Sequence, residues 1–160
     1  MPTAQALAQE LKERLDKQAV EALKYRYAYL CDQDYAPDAL AELFLSDATW
    51  DGDQFGSAVG RAGIRAFFEE AARQVSFTTH YLLNPEIEIA GHTATGRWML
   101  WQQMVLRGTG QAYWLMGRYT DRYTRVAGEW KIAAIKMKIL SFTPYEEGPA
   151  KTLVAPVVRA

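Results

Sequence analysis

His80 is one of two histidines in the chain, and it stands in a β-branched and aromatic run, Phe77-Thr78-Thr79-His80-Tyr81-Leu82-Leu83-Asn84. An imidazole has an ordinary pKa of about 6.5, which suits it to take a C–H or O–H proton near neutrality when a carboxylate holds its far nitrogen. Two acids are placed to do so, Asp32 and Asp34, at the end of a long helical stretch. A carboxylate there opposes the helix macrodipole at a cost of about 0.3–1 kcal/mol, so its position points to a purpose other than helix stability. Tyr27 shares an apolar stripe with Leu23 and Leu30, which turns its ring inward, and a buried phenol needs a polar partner. A seven-residue step returns to the same helix face, so helical phase puts Asp34 rather than Asp32 beside Tyr27. Each residue also has a plain structural reading: a strand histidine bonded to a carbonyl, two turn acids, a tyrosine bonded to the main chain. His92, beside Gly91, reads as a surface turn residue.

Other chemistries leave marks that this chain lacks. Gly108-Thr109-Gly110 lies between strand patterns instead of ahead of a helix, so it is no phosphate loop. There is no His-x3-His or carboxylate cluster for a catalytic metal and no nucleophile elbow. The single cysteine, Cys31, rules out an internal disulfide and a thiolate metal cluster. A formal net charge of −1 provides no field for phosphates or anionic membranes. The expectation is a cofactor-free acid–base site for a small molecule, with no metal, nucleic-acid or membrane partner. Met1–Val20 mixes Glu10, Lys12, Glu13, Arg14, Asp16 and Lys17 with its apolar residues, so no secretory core is visible. Nor is there a run of about eighteen apolar residues, and a cytoplasmic location is expected.

The elements that must position these groups follow from periodicity. At 160 residues the chain has the size of one domain, and five Trp, nine Tyr and six Phe suit a bulky core or a pocket for flat apolar ligands. Ala4 to Asp34 is helical by pattern: Leu7, Leu11 and Leu15, then Val20, Leu23, Tyr27 and Leu30. The phase shift near Lys17–Ala19 predicts two pieces or a kink. A short helix is expected over Pro37–Leu45, strands over Asp47–Trp50 and Ser57–Val59, and an amphipathic helix over Arg61–Val75. Four long strand patterns follow, Ser76–Ala90, Thr93–Leu106, Gln111–Val126 and Trp130–Ser141, with turns at Gly91-His92, Gly108–Gly110 and Gly128-Glu129. Helices first and an antiparallel meander afterwards predict an α+β domain over 1–145, its helices on one face of a strongly curved sheet, with a tail over 146–160. Alternation turns Trp50, Trp98, Leu100, Gln102, Met104, Tyr113, Leu115, Tyr119, Met137 and Ile139 inward. Of the inward set, Trp50, Gln102, Tyr113 and Tyr119 are expected at a pocket wall, where polar tips orient an apolar ligand. The opposite phase would present Trp101 and Gln103 instead.

Three local patterns carry a resemblance that runs from about residue 20 to residue 145. They are Tyr27-x4-Asp32 with Leu43-Phe44-x3-Ala48-x-Trp50; His80-Tyr81-x2-Asn84; and Tyr119-Thr120-Asp121-x-Tyr123 with Trp130-Lys131-Ile132 and Phe142-Thr143-Pro144. In order and spacing they resemble the SnoaL-like branch of the nuclear transport factor 2-like superfamily, which contains scytalone dehydratase, bile-acid 7α-dehydratase and hexachlorocyclohexane dehydrochlorinase. The resemblance implies a cone-shaped fold with a mixed or antiparallel sheet around a pocket. It also implies a dehydratase-type lyase acting on a hydroxylated cyclic, polyketide-like or steroid-like substrate. His80 is then the base, Asp32 its orienting acid with Asp34 the fallback, and Tyr27 the donor to the substrate oxygen. The same fold also serves isomerases, cyclases and non-catalytic binding or assembly domains. The chain has Gln102 or Gln103 where the bile-acid enzyme has an additional acid, and Ile135 where the dehydrochlorinase has a basic residue. A homodimer or homotrimer is expected by the same analogy.

Overall fold

The computed structural model describes residues 1–157. Helix α1 spans Ala4–Cys31 and begins at Thr3, whose hydroxyl accepts the Ala6 N–H at 3.1 Å. It is one unbroken helix, and the expected kink is absent. The phase shift marks a change of surroundings instead. Leu7, Leu11 and Leu15 are exposed on the first turns, whereas Asp16, Val20, Lys24, Tyr27, Ala28 and Cys31 form the buried face.

Helix α2, Pro37–Ala41, stops short of the expected Leu45 because Phe44 already pairs with Ile132 and opens strand β1, Phe44–Asp51. Strand β2, Ser57–Val59, leads into helix α3, Gly60–Gln74. Four long strands follow: β3, Val75–Ala90; β4, Thr93–Leu106; β5, Ala112–Val126; and β6, Glu129–Pro144. They form one mixed sheet in the order β2-β1-β6-β5-β4-β3, in which β1 runs parallel to β6 and every other pairing is antiparallel. The helices lie against the sheet face that carries Trp98, Leu100, Gln102 and Met104, while Trp101 on the same strand is exposed. Burying a large apolar side chain such as Phe44, Phe68 or Phe142 contributes about 1.5–3 kcal/mol each.

Strand β6 departs from simple alternation. Tyr123 pairs with Ile132 but Arg122 with Ala134, and Met116 pairs with Ser141 but Gly117 with Ile139. Ala133 and Leu140 are therefore extra residues, and each resets which side chains face the core. Ile132, Ile135, Met137, Ile139 and Phe142 all stay buried as a result.

The tail folds back on this strand. Phe142 N–H donates to the Leu153 carbonyl at 2.9 Å, and Ala155 N–H donates to the Phe142 carbonyl at 2.7 Å. Gln54 Nε2 ties down the Ala155 carbonyl at 3.1 Å. The last three residues of the expected tail, 158–160, lie outside the described residues. Among those described, no helix is long and apolar enough to cross a membrane.

Candidate active site

Asp32 caps the C-terminus of α1, its N–H bonded to the Ala28 carbonyl at 3.1 Å. The chain then turns through Asp34 and Tyr35, both at positive φ (52° and 51°). That turn decides between the two acids. The helix ends before its periodicity can carry Asp34 to the Tyr27 face, and Asp34 points to solvent.

Asp32 reaches β3 instead. Its Oδ1 lies 2.6 Å from His80 Nδ1, and its Oδ2 accepts the His80 backbone N–H at 3.0 Å. The His80 side chain is 5% exposed and that of Asp32 23%, so the imidazole is enclosed while its partner keeps some contact with water. A carboxylate only accepts, so Nδ1 carries the proton of this bond, and in the neutral ring the lone pair is on Nε2. The two-point contact fixes both the tautomer and the ring plane.

His80 lines a chamber of about 150 Å³ between α1, α3 and the inner face of the sheet. The aromatic part of its wall includes Tyr27, Tyr35, Trp50, Phe67, Phe68 and Tyr119. Gln102, Met104 and Met137 come from the sheet, and Val157 from the tail reaches the same space. Trp50, Gln102 and Tyr119 line this chamber. Tyr113 is a correction. It stacks on Phe142 at 4.4 Å and 14°, and Phe142 in turn meets Phe55, the ring that does line the chamber. Tyr113 itself is not among the residues that line the chamber.

Tyr27 is 1% exposed, and its oxygen accepts Trp50 Nε1–H at 2.9 Å. Its hydroxyl also lies against the Tyr119 hydroxyl and the Cys31 thiol. Burial holds both phenols well above the ordinary range, so they are neutral donors. Behind them lies an ion pair, Lys24 Nζ to Asp121 Oδ2 at 2.8 Å, with both side chains fully buried. Lys24 Nζ stands 3.7 Å from the Tyr119 ring centroid and 4.6 Å from that of Tyr27, a cation against the back of two chamber walls. Asp121 also accepts the Tyr123 hydroxyl at 2.8 Å. Burial pushes the Lys24 ammonium's pKa down and the Asp121 carboxyl's up.

Sequence reasoning missed this pair, although the signal was present. Asp121 shares its inward phase with Tyr119 and Tyr123, and Lys24 lies on the Val20–Tyr27–Cys31 stripe. Tyr35 was missed with no such signal, because a turn residue has no periodicity to place it. His92 is exposed, as read. Among the described residues, no group of three or more His, Cys, Asp or Glu could hold a metal ion.

The SnoaL-like domain family matches residues 12–136, and the chain belongs to that family. No curated protein matches the sequence significantly. Among solved structures, it is similar to a protein of Novosphingobium aromaticivorans provisionally named an aromatic ring hydroxylase, at 30% identity and a TM-score of 0.75, covering 81% of this chain and 92% of that one. A type 2 hexachlorocyclohexane dehydrochlorinase, LinA, superposes with a TM-score of 0.79 at 21% identity, over 94% of this chain and 97% of that one. A provisionally named scytalone dehydratase of Novosphingobium aromaticivorans gives 0.75 at 23% identity, over 91% and 95%. A Salmonella enterica protein of the nuclear transport factor 2-like superfamily gives 0.72 at 22% identity, over 82% and 96%. The fold is nuclear transport factor 2-like, and its structural neighbours include proteins named as dehydratases and dehydrochlorinases.

Proposed function

We propose that this protein is a cofactor-independent lyase of the dehydratase type that eliminates water from a hydroxylated cyclic ketone. The observation that carries the reading is the 2.6 Å contact between His80 Nδ1 and Asp32 at the edge of an aromatic chamber. A binding domain has no need of a tautomer fixed at two points, whereas a base does. In this reading His80 Nε2 removes the proton next to the substrate carbonyl. Asp32 stabilises the imidazolium that forms. The enolate oxygen is held by Tyr27 together with Tyr119. Since Trp50 donates to the Tyr27 oxygen, the Tyr27 proton is free for Tyr119 or the ligand, and the phenols form a relay of neutral donors. Collapse of the enolate expels the hydroxyl, which leaves as water with the proton returned from His80. Most of the remaining wall is apolar, which suits a flat ring system such as a polyketide-like or steroid-like one.

The chain is further read as a cytoplasmic homodimer or homotrimer. Phe77, Tyr81, Leu83 and Trp101 on the outer face of β3 and β4 are between 44% and 55% exposed, an apolar surface suited to a second copy.

A screen of hydroxylated cyclic ketones, followed by enone absorbance, tests the activity. Turnover that disappears in His80→Ala is the expected result. A substrate turned over equally by wild type and His80→Ala would end the mechanism. Ligands that bind tightly yet never react would assign the chamber to binding alone.

A further inference from the structure

Ahead of Asp16, its first buried residue, helix α1 stands clear of the domain, and every residue from Ala4 to Leu15 is exposed. Asp16 is held by the Arg125 guanidinium and by Trp130 Nε1–H at 3.4 Å, so the arm is fixed at its base. At 1.5 Å per residue the arm is about 18 Å long. Its charges are matched among themselves, Glu10 with Arg14, Lys12 with Asp16 and Glu13 with Lys17, each pair four residues apart. What is left over is a face of leucine. Leu7, Leu11 and Leu15, also at spacing four, are 51%, 58% and 56% exposed. A helix of about 12–15 residues is marginal in water by itself, and most helical stability comes from packing an apolar face. This arm has such a face, and none of its three leucines joins the core.

The outer face of the sheet has the converse surplus. Tyr81 on β3 pairs with Trp101 on β4, and Trp101 meets Trp114 on β5 edge-on at 5.7 Å and 82°. Trp114 in turn stacks on Tyr145 at 5.4 Å and 24°, so the aromatic strip crosses the sheet. Phe77 and Leu83 extend it along β3. No Asp, Glu, Lys or Arg occurs from Phe77 to Leu83 or from Met99 to Val105, and the Arg97–Glu86 pair at 2.9 Å marks the border. From Phe77 to Leu83 the strand runs about 20 Å, close to the length of the arm. An arm with its charges already paired suits a surface that offers none.

We propose that the α1 arm of one copy lies across the outer sheet face of a second copy, its leucine stripe covering the surface around Trp101. This rests on the self-association read above and names the element that makes it. Area decides for arm on sheet. A large apolar side chain offers about 150–250 Å², so the three leucines with Phe77, Tyr81, Leu83 and Trp101, each about half exposed, supply roughly 500–900 Å² per copy. A standard interface takes about 800 Å² from each partner. Arm against arm, or sheet against sheet, would use only about half of that supply. Each copy gives an arm and receives one, and such a contact closes as a dimer or a ring of three.

Sedimentation and cross-linking test this together. Burial of one large apolar side chain corresponds to about tenfold or more in affinity, so Leu11→Glu is expected to weaken self-association by at least that factor. Leu11 lies outside the core, and a far-ultraviolet spectrum and thermal melt matching wild type confirm that the domain is intact. For cross-linking, full chains with Ala8→Cys, beside the leucine stripe, are mixed with full chains with Thr79→Cys, between Phe77 and Tyr81. Both substitutions leave the leucines and the aromatic strip in place, and Cys31 is buried away from a short bismaleimide. Linkage of unlike chains is expected, with little between like ones. Linkage of Ala8→Cys chains to one another would show arm on arm, linkage of Thr79→Cys chains to one another would show sheet on sheet, and either would overturn the proposal. Association by Leu11→Glu as tight as wild type, with Trp101→Glu dissociated, would keep the sheet interface and remove the arm alone. A monomeric wild type would remove both.

Discussion

Replacing Asp32 by Asn tests the central contact most directly, because the two carboxylate oxygens have different tasks. Oδ1 receives the proton of His80 Nδ1 at 2.6 Å, and Oδ2 receives the His80 backbone N–H at 3.0 Å. An asparagine has one acceptor and one donor group at the same two points. With its oxygen toward Nδ1, its NH2 opposes the backbone N–H, donor against donor. With its oxygen toward the backbone, its NH2 donates to Nδ1 and drives the ring proton to Nε2, the atom that must act as base. The second arrangement avoids the clash and is the one expected. The negative charge that stabilises the imidazolium is lost in both. A charge-assisted hydrogen bond is worth about 1.5–3 kcal/mol, or about tenfold to 150-fold in rate. With the base also in the wrong tautomer, the loss in kcat is expected at about 10²–10⁴. Two assays read this. Enone formation gives the rate, and long-range ¹H–¹⁵N correlations of the imidazole give the tautomer without any substrate. Wild type is expected with the proton on Nδ1 and Asp32→Asn with it on Nε2. The same tautomer in both proteins, or full activity in the variant, would refute the orienting role.

The buried Lys24–Asp121 pair has its own test in chemical denaturation. Lys24→Met leaves an uncompensated carboxylate whose Oδ1 has no hydrogen-bond partner among the described residues, at a cost of about 3–5 kcal/mol. For a chain of this length that is a fall of roughly 6–20 °C in Tm. The double variant Lys24→Met/Asp121→Leu is expected to recover most of this, and a double variant no better than the single would show that the charges are not the cause. Asp16 supplies a pH dependence. The Arg125 guanidinium bonded to it holds its carboxyl below the usual range, with help from the Trp130 N–H and the Lys12 charge. Its stabilisation is therefore complete above the ordinary carboxylate value of about 3.9 and disappears as pH falls through the lowered one. Thermal melts of Asp16→Asn should lose part of the acid dependence of wild type; identical pH profiles would contradict the assignment. Finally, sedimentation should find wild type as a dimer or trimer and Trp101→Glu shifted toward monomer, and a monomeric wild type would exclude an interface on that face.

Periodicity made the inner wall readable. Trp98, Leu100, Gln102 and Met104 alternate because a strand packed on one face has a period of two, and nothing between Thr93 and Leu106 interrupts it. His80 was identifiable otherwise, as one of two histidines and part of a strand-like run that resembles the family pattern, and the structure pairs it with Gln102 on the inner face. The amphipathic stripe of α3 carried Ile64 and Phe68 to the core in the same way. These are local properties, set by side-chain hydrophobicity and backbone geometry within a few residues.

The choice of Asp32 over Asp34 was of another kind. It depended on where α1 gives way to a turn, and that point is set by competition between helix propagation and the contacts Asp32 and Tyr35 make with β3 and α3. Strand β6 shows the same limit, since the extra residues Ala133 and Leu140 exist only relative to the register of β5. Tyr113 sits on an inward phase but stacks on Phe142, which arrives from another strand, and does not line the chamber. Composition and period thus determined which faces turn inward. Only the packed tertiary structure decided which inward groups meet, because hydrogen bonds and aromatic contacts form between residues dozens of positions apart and leave no trace in local pattern.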